Sequence, residues 1–481
     1  MELSIAGLLI CIALVLVAQF FEGRLIVASI ASFTFGATAL VTLPGLGGAS
    51  PLISMVFLVA LLATVALRPG FLARLAKVFA QQPTAWLILL LLLYTIVGAI
   101  TLPRIFAGGT TVFVPVRIEG RVAEVLLSPT SGNISQLLYF TISCLSFFAL
   151  AVLLPQRGTL SAVRKGFFLF VTLHVALGFI DLFGKAAGLG DVLAPIRSAS
   201  YAMHTNVDVA GFWRIAGAQA EASTFGAKCV SLLAFTYVYW RGTRCTHAFL
   251  LSIALLALLI LSTSTTAYVG GAILALFLLA SLTTDAVRDR LRKEDLVLLV
   301  GAFAALTLIV AVVVYNERAL DPFWQLFDAM ILDKSSSDSG QERAYWNYQS
   351  LQSVLDTVGL GIGLGSSRAS SWTIAVISQL GIVGSVMIGL LVVEIIRSGG
   401  LRHARELDQE TRATALSLRA TALATLLTES ISGGAVNPGI VFFMTLAVVL
   451  SLRTSSRRRP IPQTIRIPPW HSGVVSTFGR T

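Results

Sequence analysis

The chain has little charge for its length. Of its 481 residues only 12% are Asp, Glu, Lys or Arg, against roughly a quarter in a soluble domain, so water cannot solvate most of it. The residues that build disulfide frameworks and metal centres are also scarce. The four cysteines (Cys11, Cys144, Cys229, Cys245) fall in apolar runs or at a basic edge, which excludes a disulfide scaffold. The five histidines are scattered: His174 lies in an apolar run, His247 and His403 in basic stretches, His471 in the tail, and only His204 in a long polar loop. With no H-E-x-x-H motif and no Cys/His cluster, no metal site is expected. No repeat of fixed period is present. The first apolar run has no basic segment before it and no A-x-A-like site after Phe20, so it reads as a retained helix and not a cleaved signal.

Apolar sequence fills the space that charge leaves. Apolar residues make up 56% of the chain and mean hydropathy is +0.84. Runs of about 17–25 apolar residues, each able to cross ~30 Å of hydrocarbon as a helix, recur at 3–20, 25–44, 51–67, 84–102, 135–154, 166–183, 224–240, 247–262, 267–283, 295–315, 372–396, 413–429 and 438–452. The expected fold is therefore all-α: a single transmembrane domain over 1–452 with about thirteen spans (12–14), followed by a disordered Arg/Pro/Ser-rich tail over 453–481.

The net charge of +11 could suggest nucleic acid, but its distribution argues for a membrane. Reading the short basic connections and the tail as cytoplasmic places 23 of the 35 Lys and Arg there and 10 on the other face. Lys228 and Arg419 fall inside apolar runs. This asymmetry follows the positive-inside rule and sets the N-terminus outside and Arg457-Arg458-Arg459 inside. Three outer segments, 104–134, 185–223 and 316–371, are too long for turns and are where function is expected. The last is expected to be partly helical, because Asp321–Phe327 and Ala344–Leu351 have helix-like apolar spacing.

Three constellations on that outer face could carry chemistry. The first is Arg214-Ile-Ala-Gly-Ala-Gln-Ala-Glu221, where an Arg and a Glu seven residues apart border an apolar run. Such charges suit an anionic ligand, or equally an interfacial ion pair at a helix start. If the helix extends outward to Arg214, the two share a face. The second is Glu342-Arg343-Ala-Tyr345-Trp346, followed by Gly359-Leu-Gly361-Ile-Gly363-Leu-Gly365 and Arg368. Arginine's planar fork suits phosphate, and glycines allow close backbone approach. No G-x-G-x-x-G aligns there, so it is no dinucleotide fingerprint; the bland alternative is a flexible glycine loop leading to a helix. The third, Ser262-Thr-Ser264-Thr265, sits between two runs, where hydroxyls commonly cap helices.

Taken together these pieces resemble the O-antigen ligase and O-antigen/exopolysaccharide polymerase superfamily of bacterial inner membranes. The resemblance rests on Arg214 with Gly217, the turn from Ser264 to Gly270, the R-x-x-W of Arg343 and Trp346, the glycines from Gly359 to Gly365, and Leu380-Gly-Ile-Val-Gly384. It covers roughly 205–395. It implies transfer of a glycan from a polyprenyl-pyrophosphate carrier to a hydroxyl acceptor on the periplasmic face, without metal or other cofactor. Arg214 and Arg343 would hold the pyrophosphate, with Arg368, Trp346, Tyr345, Ser264, Gly361 and Gly363 around the substrate and Glu221 as the base, ahead of Glu342 and His204. The chain departs from the ligase pattern at Ser370-Ser371, where ligases place a His-Asn pair, and Thr265 stands where many members have Arg after the turn serine.

The expected function is polymerisation of lipid-linked oligosaccharide repeats, with the lipid bilayer, the glycan acceptor and a chain-length regulator as partners and no nucleic acid. The alternatives are ligase-type transfer to a lipid A-core or other acceptor, and a secondary transporter or flippase. The transporter would place its ionisable groups near the midplane on interrupted helices.

Overall fold

The computed structural model describes residues 2–42, 50–116, 121–199, 208–209, 212–287, 295–296, 300, 307, 338–403 and 407–458. Helix dominates. In chain order the helices are α1 (Ile5–Ala18), α2 (Arg24–Ala31), α3 (Ile53–Ala66), α4 (Phe71–Gln81), α5 (Pro83–Ile105), α6 (Ser131–Leu153) and α7 (Thr159–Ala186). They continue with α8 (Ala222–Thr243), α9 (Thr246–Leu261), α10 (Thr265–Val287), α11 (Asp338–Asp356), α12 (Trp372–Arg397), α13 (Gln409–Ser432) and α14 (Ile440–Arg458). Their starts are written locally. Pro83 stands at the first position of α5, Thr130 and Asn133 form a capping box on α6, and Asp408 caps α13 through a 2.9 Å bond from the Thr411 N–H.

Thirteen spans are not supported. Among the described residues five helices are long and apolar enough to cross a bilayer (α5, α6, α7, α10 and α12), or six if α3 and α4, bent by 99°, form one broken span. The physical reasons differ from run to run. Helices α1 and α9 are apolar but only 14 and 16 residues long. The run at 25–44 leaves α2 after eight residues, passes through a 3-10 turn at Ser32–Thr34 and ends in a short strand, Val41–Thr42. Helices α8 and α13 have the length, 22 and 24 residues, but carry polar and charged side chains. The expected run at 295–315 and the Asp321–Phe327 segment lie almost wholly outside the described residues, as does the tail from 459; α14 itself continues to Arg458.

Helices α8 and α13 pack antiparallel through small and hydroxyl side chains, as membrane helices do when no hydrophobic force separates helix from lipid. Gly242 meets Ala413 at one end, Thr425 bonds Ser231 at 3.1 Å, and Gly270 of α10 meets Thr428. A phenylalanine-rich core (Phe140, Phe147, Phe167, Phe235, Phe442, Phe443) lies around them, while Leu90, Leu93, Leu256, Leu276 and Phe277 point outward. That outward apolar surface fits a lipid-facing wall.

The structure also holds a few strands. The segment at 104–134 contains a hairpin, β3 (Thr111–Val116) paired antiparallel with β4 (Arg121–Leu126). Shorter pairs join β1 (Glu2–Leu3) to β2 (Val41–Thr42), and β5 (Asp208–Val209) to β6 (Phe212–Trp213).

Candidate functional site

Residues 214–221, 262–266, 343–346, 359–372 and 429–437 gather at one end of the bundle. Helix α8 begins at Ala222, because Glu221 has an extended backbone (φ −156°). Arg214 is therefore not on a shared helical face with Glu221, contrary to the expectation of a helix reaching outward. It lies on an irregular loop that turns at Gly217 (φ +54°).

What holds that loop is a buried ionic network that sequence reasoning missed. Asp181 in α7 is fully buried, and its Oδ2 accepts from the N–H groups of Ala216 (2.8 Å) and Gly217 (3.0 Å). Lys185, one turn on, lies 3.1 Å from Asp181 Oδ1 and donates to the Arg214 carbonyl at 2.7 Å. Arg197 donates through Nε to the Gly217 carbonyl at 2.8 Å and pairs with Asp191 at 2.5 Å. Two carboxylates and two cations balance, so Arg214 brings an excess positive charge to the loop. The available signal was the Asp181/Lys185 spacing of four residues across the end of an apolar run.

Arg214 is half-buried, and its Nε is enclosed without a hydrogen-bond partner among the described residues. Burial is the main force drawing its guanidinium below the usual arginine range. The Glu221 charge opposes this shift, and the nearby positive charge of Arg343 adds to it. The two arginines and Glu221 are thus within electrostatic reach, though Arg343 comes from α11. Glu221 accepts a hydrogen bond from the Ser223 hydroxyl.

On α11, Trp346 is three residues from Arg343 and so on the same face. It is buried against Phe113 of β3, with the Arg368 guanidinium 5.5 Å over its ring. Tyr345 packs edge-on to Phe113 and donates to Glu124 of β4 at 3.0 Å. The backbone N–H of Arg368 donates to the Phe113 carbonyl at 2.8 Å. The hairpin is therefore the platform that carries Trp346 and Arg368. Glu342 is exposed on α11, and His204 lies outside the described residues.

The glycine run is built into the fold. Gly359, Gly361, Gly363 and Gly365 all have positive φ, between +77° and +86°. Gly359 and Gly361 pack on a break in α12 at Gly381 (φ +64°), whereas Gly363 lies against Gly98 and Pro103 of α5 and Gly365 against Gly132 and Asn133 of α6. Gly363 donates to the Gln379 carbonyl at 3.0 Å, Gly361 to the Thr357 hydroxyl at 3.1 Å, and the Ile382 N–H returns to Gly359 at 2.9 Å. The N–H donors of Gly361 and Gly363 are thus engaged inside the protein.

Ser264 is fully buried and accepts from the Ala267 N–H at 3.4 Å, three residues on, as a helix cap does. Its turn touches Gly226 of α8, and Thr266 bonds Ser432 of α13 at 3.0 Å. Ser371 donates to the Ser430 carbonyl at 2.8 Å, and Arg368 lies beside Gly434. Two turns inward from Glu221, Lys228 donates to the Phe33 carbonyl (2.9 Å) and to Gln219 (2.8 Å), with the Glu429 charge acting on it. Neither Lys228 nor Glu429 was given a role in the sequence reading.

No family model matches the chain, and no curated protein matches it.

Proposed function

We propose that this protein is a membrane glycosyltransferase that polymerises polyprenyl-pyrophosphate-linked oligosaccharide repeats at the periplasmic face of a bacterial inner membrane. The observation that carries the reading is the pairing of Arg214 with Arg343. The positive charge of Arg343, from a distant segment, disfavours the charge on Arg214, whose Nε–H is enclosed and unpaired among the described residues. A pyrophosphate relieves that repulsion and satisfies the donor. In the reaction, the acceptor hydroxyl attacks the anomeric carbon and the C–O bond to pyrophosphate breaks. The electron pair leaves on the pyrophosphate, whose growing charge the arginines stabilise, and the hydroxyl proton goes to a base, for which Glu221 is the candidate. Trp346, buried against Phe113, holds Arg368 over its ring, while the exposed Tyr345 offers an aromatic face to the sugar or prenyl chain. Ser370 and Ser371 stand where ligases place a His-Asn pair, which favours polymerase over a His-dependent ligase.

The test is polymer length on a gel from a deletion strain complemented at matched expression. Arg343→Ala is expected to abolish long polymer, and Arg343→Lys to be poor because a point ammonium lacks the fork. Loss of one such contact costs ~3 kcal/mol, roughly a hundredfold in rate. Normal polymer from Arg343→Ala removes the residue from the mechanism.

One observation favours a second reading, a lipid-linked oligosaccharide carrier. The break in α12 at Gly381 and the interior charges of Lys228 and Glu429, which act on each other, are features of transport proteins. Purified protein in liposomes separates the two: new glycosidic bonds from lipid-linked repeats support the transferase, whereas translocation without bond formation supports the carrier.

A further inference from the structure

At the opposite, basic end of the bundle a cavity of about 370 Å³ opens between the α1–α2 turn, the end of α3 and the α6–α7 turn. Three arginines line it, Arg24, Arg68 and Arg157, with one carboxylate, Glu22. No ion pair joins Glu22 to any of the three among the described residues. Two helices begin at its wall, α2 after Gly23 (φ +70°) and α7 after Gly158 (φ +83°), and neither has a side chain capping its first turn. The dipole of each end and its open N–H groups favour an anion.

Gln156 supplies an independent sign. Its Oε1 accepts from Arg68 Nη1 at 2.9 Å, which fixes the orientation of the amide. The Nε2 that remains is enclosed and has no hydrogen-bond partner among the described residues. A donor held in this way, with cations and helix starts around it, lacks an acceptor oxygen. The rest of the wall is mostly apolar, with Leu25 partly exposed in front of the buried Ile26, Leu61 and Leu153, and with Thr64 and Thr159 between them.

The depth of the cavity identifies the ligand class. Arg68 stands at the 99° bend between α3 and α4. Beyond the bend α4 turns Phe79 onto Phe148 and Trp86 while Arg74 and Lys77 stay exposed, the pattern of a helix lying in a membrane interface. The cavity is thus at headgroup level, with a cationic mouth and an apolar wall. We propose that it binds the phosphate of an anionic phospholipid, with the start of an acyl chain against Leu25. Inorganic phosphate shares the anionic chemistry but leaves the apolar wall bare.

The full chain purified in detergent, titrated with phosphatidylglycerol or phosphatidylcholine and read by native mass spectrometry, tests this independently of the catalytic reading. Phosphatidylglycerol is expected to be retained over phosphatidylcholine. The double variant Arg24→Gln/Arg157→Gln should lose about thirtyfold in that preference, two surface charge contacts of ordinary size. Arg74→Gln/Lys77→Gln removes the same charge nearby and should leave the preference unchanged; an equal loss there makes the effect mere surface charge and overturns the proposal. Equal binding of the two lipids, or unchanged preference in a folded Arg24→Gln/Arg157→Gln protein, also overturns it. Displacement of the lipid by millimolar inorganic phosphate overturns the lipid assignment in favour of a soluble anion.

Discussion

Arg214 shows how one side chain acquires a task from its surroundings. Its carbonyl and the two following N–H groups that bond Asp181 are fixed by Asp181 and Lys185, so the guanidinium is presented and not free to wander. Arg214→Ala is expected to abolish polymerisation by loss of donor binding, measured with lipid-linked repeats in purified membranes. Glu221→Gln separates two roles. A base would lose its turnover while donor binding survives, whereas a residue that only orients Arg214 would lose little, because an amide still accepts a hydrogen bond; full-length polymer from both the Arg214 and Glu221 variants would return the segment to an interfacial ion pair. Asp181→Asn tests the support beneath. It leaves Lys185 buried without its counter-charge and Arg197 with Asp191 alone, a loss of ~3–5 kcal/mol, and should lower both thermal stability and donor affinity. The arginines were legible in the sequence because charge beside an apolar run is costly without a purpose. Asp181, Lys185 and Arg197 were not, since their meaning depends on which loop they reach across space.

Elements reveal where local pattern was informative and where it was not. Ala344–Leu351 has a helical apolar period and lies within α11. The hairpin strands Thr111–Val116 and Arg121–Leu126 are valine-rich, as strands are, yet this was lost in a segment defined only by its length. The glycine run was legible as unusual backbone but not as packing. Gly359 and Gly361 meet the Gly381 break, and nothing in spacing says that two irregular segments meet. Gly361→Ala is expected to destabilise strongly, because a Cβ would lie 2.6 Å from the Gly381 nitrogen at a φ of +83°, with roughly 1–2 kcal/mol of backbone strain before that clash is counted. A wild-type melting temperature for Gly361→Ala would refute the packing role. At the other end of the bundle, Asp408 caps α13, and bonds from Thr411 draw its carboxyl below the usual aspartate range. A depressed carboxyl stabilises above its unfolded pKa, and the effect is lost as pH falls through the lower, folded value. Asp408→Ala should therefore cost ~1 kcal/mol at neutral pH and progressively less in acid, read as a melting-temperature difference that closes with pH.

At the scale of the whole molecule the question is which end faces which compartment. The basic residues and the in-plane α4 belong to one end, and the hairpin, α11 and the arginine site to the other. Membrane character was legible because low charge and long apolar runs admit no other solvent. The span number was not, because apolar length on paper does not say where a helix breaks, as α2 does at Ser32, or which long helices are polar enough to need neighbours, as α8 and α13 are. Sidedness is nevertheless testable without a span count. In a background with the four native cysteines replaced, single cysteines at Gly108, Leu189 and Tyr348 should react with a membrane-impermeant maleimide from outside intact spheroplasts. Those at Ala73 and Pro155 should react only after lysis. All five positions are exposed, so failure to react reports the compartment and not burial. Labelling of Ala73 or Pro155 from outside would invert the bundle, place Arg214 and Arg343 in the cytoplasm, and remove the physical basis for a periplasmic polymerase. Protection of Gly108 and Tyr348 in spheroplasts, with labelling on lysis, would do the same from the other end, so the two sets of positions check one orientation from both faces.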